Sequence, residues 1–219
     1  MPTVSHLALS RMLRTLPAHS GASHAQARHR GEALAIIARE PLTAPRFDYR
    51  IHRAKVTDNG WLSAGETTLY APRFLVEPGE LVAVAATVCT LGTALQERIS
   101  ELFATRRRSL ALALDAVSNE LLFRLADRAT AAVRRAARSM DLEAGLEISP
   151  GDEGLPLDQQ AAVLTLTGSS EHGLTVSDTG MLAPVKSLSV LVALGRNLRQ
   201  RSAATRCDAC PSRVRCARK

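Results

Sequence analysis

The chain has 219 residues, enough to bury an apolar core in one large domain or two small ones, so it does not need cysteine staples to fold. Hydrophobic residues make up 46% and charged residues 22%, ordinary values for a globular chain, and no run of eighteen apolar residues is present to span a membrane. The formal net charge of +7 is local: residues 196–219 hold eight basic residues against one acid, Asp208, while the rest carries twenty of each sign. That segment has no aromatic side chain on which bases would stack, which argues against a nucleic-acid partner. Aromatics are 3% overall, and Ala and Leu dominate, so the expected core is aliphatic.

In chain order, the N-terminus meets Arg11 and Arg14 before any long apolar run forms, a poor secretory signal. A cytoplasmic location is therefore expected, where thiols stay reduced and cysteines serve as ligands or redox groups more often than as staples. Two short helices are predicted, near 4–15 and 23–39, ended by Pro41 and Pro45. His19, His24 and His29 form no ligand pattern and are read as surface residues. FDYRIHRAKV (47–56) reads as a strand, Asp58-Asn59-Gly60 as a turn, and WLSAGETTLY (61–70) as a second extended stretch. Pro78-Gly79 marks another turn, and LVAVAATVCTLG (81–92) has the length and β-branched content of a buried strand.

Residues 93–107 read as helical, and 109–140 as one long helix. Leu110, Leu114, Val117, Leu121 and Leu125 form its apolar stripe, and Arg134, Arg135 and Arg138 lie near its C-terminus, where cations favour the dipole. ISPGDEG (148–154) is a turn-rich loop, and Asp158 is placed to cap a helix over 159–167. The remainder reads as a strand, a loop and a strand at Ser187–Leu194. Long helices between β-rich segments predict an α+β fold, an antiparallel sheet packed with long helices. Three segments are expected: an N-terminal helical segment (1–45), an α+β domain (46–200) and a basic tail (201–219).

The tail carries Cys207, Cys210 and Cys216 in C-x2-C-x5-C spacing. Three thiolates can take three corners of a tetrahedral zinc site, or hold an iron–sulfur cluster with one open iron; the alternative is a basic tail whose thiols lie near each other without a metal. A fourth ligand would come from Cys89, His172, a small molecule or a partner. Neighbouring arginines would lower the thiol pKa values. Alone in its apolar run, Cys89 reads as a small buried hydrophobe.

Four ordered segments resemble the activation domain of cobalamin-dependent methionine synthase and the stand-alone proteins built on it. They are VAVAATVCTLGTALQERI (82–99), LALDAVSNELLFRLAD (112–127), SPGDEGLPLDQQ (149–160) and TGMLAPVKSLSVLVALG (179–195); with the tail, the resemblance covers about 47–219. It implies an α+β domain that binds S-adenosylmethionine and presents it to an oxidised corrinoid, with an electron arriving from a flavoprotein. Such a domain acts mainly by positioning, and the cofactor carries the hard step. Two positions depart from the pattern: Glu147 stands where the family has an arginine, and Asp152 where it has an aromatic residue. A free Glu147 carboxylate would repel that of the methyl donor, and Asp152 offers no aromatic face to a sulfonium.

The candidate ligand-binding residues are thus Ser149, Pro150 and Gly151 in the loop, Asp115 (with Asn119 one turn on) in the long helix, and Lys186 with Ser187 before the last strand. Lys186 is read either as a partner for a phosphate or carboxylate or as a solvated residue at a strand start. The candidate metal ligands are Cys207, Cys210 and Cys216, and no catalytic residue stands out. The expected function is that of an accessory protein of cobalamin-dependent methyl transfer, with cobalamin held on a partner. Expected partners are a corrinoid-binding protein or methyltransferase and a flavodoxin-like or ferredoxin-like electron donor. The alternative is a non-catalytic binding or scaffold module with a metal-binding cysteine tail.

Overall fold

The computed structural model describes residues 6–16, 22–76, 78–169 and 173–199; the cysteine tail and His172 lie outside them. The helices are α1 (His6–Arg14), α2 (His24–Arg39), α3 (Ala94–Ala104), α4 (Arg108–Arg138) and α5 (Gln160–Thr167). The strands are β1 (Arg46–Val56), β2 (Trp61–Ala64), β3 (Thr67–Tyr70), β4 (Glu80–Thr90), β5 (Glu143–Ile148), β6 (Thr175–Val176), β7 (Leu182–Ala183) and β8 (Ser187–Arg196). Six form one antiparallel sheet in the order β3-β2-β1-β4-β8-β5, and β6-β7 is a separate small hairpin.

The continuous apolar runs of β4 and β8 follow from their position. Both lie at the centre of the sheet, and both faces of the sheet are covered, so successive residues are buried whichever way they point. Ala83, Ala85, Val190, Val192 and Leu194 share one core cluster with Val133 and Ala137 of α4. Val84, Ala86, Leu191 and Ala193 share the opposite cluster with Val163 and Leu166 of α5. At one end of the paired strands the contact is close: a Cβ on Gly195 would lie 1.9 Å from the Glu80 carbonyl oxygen, so only glycine fits.

The α4 stripe is buried as its spacing predicts, from Leu110 through Leu125 to Val133 and Ala137. Its first half packs with α1, α2 and α3 through Leu9, Met12, Ile37, Leu95 and Ile99. Helix α2 begins with a capping box, in which the Ser23 hydroxyl accepts from the Gln26 N–H and the Gln26 side chain accepts from the Ser23 N–H. The two nitrogens of Arg30 donate to Glu120 at 2.7 Å each, and this bidentate pair fixes α2 on α4.

Three elements differ from the sequence reading. The second extended stretch is a hairpin, β2 and β3, turning at Gly65-Glu66. Residues 143–148, not expected as a strand, form β5 on the sheet edge. Asp158 lies inside a 3-10 turn (Leu157–Gln159) that precedes α5 and caps nothing; its carboxylate accepts from the Gln159 side chain.

These facings predict an asymmetry on α4. Leu125→Ala, at a fully buried position, should lower the unfolding free energy by about 2–5 kcal/mol. Leu112→Ala, at a residue 62% exposed on the same helix, should change it by less than about 0.5 kcal/mol. Urea denaturation of both variants checks this.

Candidate functional site

The register places several candidate residues at one end of the sheet. Ser187 opposes Thr90 at the start of β8, and Ile148, the last residue of β5, opposes Leu191. The loop after β5 and the segment before β8 therefore emerge from the same end.

On the α4 side of this end, Lys186 is only 4% exposed. Its ammonium donates to Asp115 Oδ1 at 2.5 Å and to Asn119 Oδ1 at 2.8 Å, and Asn119 Nδ2 donates to Asp115 Oδ2 at 3.0 Å. Four-residue spacing puts Asp115 and Asn119 on one face of α4, so a single lysine meets both. The Lys186 carbonyl accepts from the Leu91 N–H, which fixes the backbone approach. A buried ammonium must be paired, and this one is. It is engaged by the fold itself, with Asp115 of the same chain as its carboxylate partner, and its burial corrects the reading of Lys186 as a solvated residue at a strand start. Asp115 keeps 41% of its side chain exposed, so its oxygens can still accept from a hydroxyl or amine arriving from solvent. Ser187 bonds within the sheet: its hydroxyl donates to Thr90 Oγ1 at 2.8 Å.

The loop over 149–154 is a closed turn. The Ser149 N–H donates to the Asp152 carboxylate at 2.8 Å, and the Asp152 N–H returns to the Ser149 carbonyl at 2.9 Å. The Gly151 N–H donates to the Leu155 carbonyl at 2.8 Å, and Leu155 is fully buried in the α5-side core. The turn is thus anchored at its far end while Gly151 stays exposed, with φ at +95°. Asp152, where the resemblance expected an aromatic ring, instead closes this turn. Among the described residues no hydrogen bond joins the loop to the Lys186 group.

Glu147 is not a free carboxylate. It accepts from Arg134 of α4 at 2.7 Å, and its side chain is 6% exposed. This pairing was not visible in the sequence, where Arg134 reads only as a helix-terminal cation. Gln160 was also missed; its amide donates to Ser189 at 2.7 Å and ties α5 to β8.

Cys89 is fully buried in one core cluster with Leu91, Leu95 and the α4 stripe. Cys207, Cys210 and Cys216 lie outside the described residues, and so does His172. Among the described residues no group of three or more His, Cys, Asp or Glu is placed to hold a metal ion, and no helix is long and apolar enough to cross a membrane.

The architecture is an α+β fold of the reactivation-domain type. It is similar to the crystal structure of the MetH reactivation domain bound to AdoHcy, with a TM-score of 0.67 and 12% sequence identity, over 92% of this chain and 79% of that one. The likeness is therefore one of fold. The sequence matches no family model and no curated protein.

The Lys186 group predicts unequal losses. Asp115→Ala strands a buried ammonium, whereas Lys186→Met removes the charge and keeps the apolar stem. Asp115→Ala should be the more destabilising by about 1–3 kcal/mol, measured by urea denaturation.

Proposed function

We propose that this chain is an accessory protein of cobalamin-dependent methyl transfer, assisting the reactivation or methylation of a corrinoid held by a partner protein. On this reading it takes S-adenosylmethionine at the loop over 149–154 and presents the methyl group to the corrinoid. The observation that carries the reading is the fold, which is similar to a reactivation domain bound to AdoHcy. The anchored turn supports it, because an exposed Gly151 lets a ligand approach the backbone closely. Glu147 is less adverse than its charge suggests, since Arg134 balances it. The chain's part is positioning: it holds the donor by backbone groups and by the half-exposed carboxylate of Asp115. The corrinoid supplies the methyl-accepting chemistry when bound.

A second reading is a scaffold module that binds the corrinoid protein without a methyl donor and carries a metal on Cys207, Cys210 and Cys216. The engagement of Lys186 by Asp115 and Asn119 favours it, since that cation is closed to ligands. Metal analysis of anaerobically purified full chain tests its tail: iron with sulfide, or zinc, should be present and lost in Cys207→Ser.

Equilibrium dialysis with labelled S-adenosylmethionine and S-adenosylhomocysteine separates the two readings. The first predicts saturable binding of both, weakened about tenfold (about 1.4 kcal/mol) by Gly151→Ala with the fold intact by circular dichroism. Absence of binding, with capture of a corrinoid protein retained, would leave the scaffold reading.

A further inference from the structure

Aromatic residues are scarce in this chain, yet its single tryptophan is on the surface. Trp61 is 45% exposed and stacks edge-on against Tyr70, itself 37% exposed, with ring centroids 5.5 Å apart. The pair leads directly to the candidate loop. The Tyr70 N–H donates to Gln159 Oε1 at 2.9 Å, and Gln159 in turn donates to Asp158. Leu157, in the same 3-10 turn, is 38% exposed and lies 3.8 Å from where a Gly151 Cβ would be. On its other side Leu157 touches Gly180, followed by Met181, which is 55% exposed. Trp61 and Tyr70 thus form an exposed aromatic pair tied to the 3-10 turn, and exposed Leu157 and Met181 lie in the adjoining segments; exposed apolar groups of this kind mark an interaction site.

Exposed acids lie in the adjoining turns and loop, while Arg73 packs against Gly154. Asp58 sits in the turn beside Trp61, Asp152 and Glu153 in the loop, Asp158 in the 3-10 turn and Asp178 in the β6–β7 turn; all five are exposed. The chain has a segment of opposite character: residues 200–219 hold five arginines and a lysine against one acid. Arginine is the side chain suited to such a surface, since its plane stacks on Trp and Tyr while it pairs with carboxylates.

We infer that the basic tail, residues 200–219, docks on this acid-rimmed aromatic face. The geometry allows it. Leu198 is seated against Gly145 and Gly195, so the tail leaves from the far end of β8. Ile148, where the loop begins, opposes Leu191, five residues along β8 from Arg196, about 17 Å. Twenty residues can extend to about 66 Å. The face is therefore within the tail's reach.

Carbodiimide coupling of the full chain tests this, because Lys219 is the tail's only lysine. The expected result is an intramolecular amide between Lys219 and Asp58, Asp152, Glu153, Asp158 or Asp178, lost at about 0.5 M salt, where screening is nearly complete. In the full-length variant with Arg201, Arg206, Arg213, Arg215 and Arg218 changed to Gln, acrylamide quenching of Trp61 emission should rise while circular dichroism is unchanged. Coupling of Lys219 only to carboxylates elsewhere, such as Glu80 or Glu143, would overturn the inference. Unchanged Trp61 quenching in the variant would do so as well. Amides found only in covalent dimers would assign the face to a second copy of the chain instead.

Discussion

The structure depends on the burial of β4 and β8 on both faces. Two adjacent strands without a solvated side must be apolar along their length and hydrogen-bonded on both edges. This requirement calls for β1 and β5 as outer partners, α4 over one face, and α5 with the loop before it over the other. The small residues of β4, Ala83 and Ala85 on one side and Ala86 on the other, leave room for helices on both faces. Polar chemistry is consequently pushed to the strand ends. Lys186, Asp115, Asn119, Ser187 and Thr90 gather at one end on the α4 side, and the loop over 149–154 is anchored in the core on the α5 side.

Helix α4 links the two halves of the molecule. Its first half carries Glu120, gripped by Arg30, and the Asp115–Asn119 pair, gripped by Lys186; its second half carries Arg134, which holds Glu147 on the edge strand. Each contact joins α4 to a different element: α2, the segment before β8, and β5. Directional pairs like these set how the helix is rotated and how far it slides along the sheet, which packing of alanine and leucine specifies less sharply. The loop that we assign to ligand binding inherits its position from this arrangement, since β5 leads into it and Leu155 anchors its end.

Much of this could be read from residue pattern. The run from Leu81 and the heptad-like stripe from Leu110 carry strong period signals because burial is nearly complete at both, and Asp58-Asn59-Gly60 announces the β1–β2 turn. β5 is hidden for a physical reason. Its sequence, EAGLEI, contains two glutamates that look solvent-facing, but Glu143 accepts from the Leu198 N–H and Glu147 from Arg134. A strand whose acids are satisfied by distant partners shows no apolar alternation. The hairpin within WLSAGETTLY is similarly masked, because Gly65-Glu66 is a short turn between two stretches that are both extended. At the site, the Asp115–Asn119 pair was legible from its spacing, whereas the engagement of Lys186 was not: its partners lie 71 and 67 residues away, and only the fold brings them within reach.

The central claim is that the end of the sheet where β5 stops and β8 begins is the working end, with the turn at Ser149–Gly154 as its ligand-contacting part. Amide chemical-shift mapping during titration of the full chain with S-adenosylhomocysteine tests this most directly. The account predicts saturable shifts at Ser149, Gly151 and Asp152 and around Asp115, with little change at α1 or along β2. Shifts concentrated elsewhere, or none at saturating ligand, would contradict it.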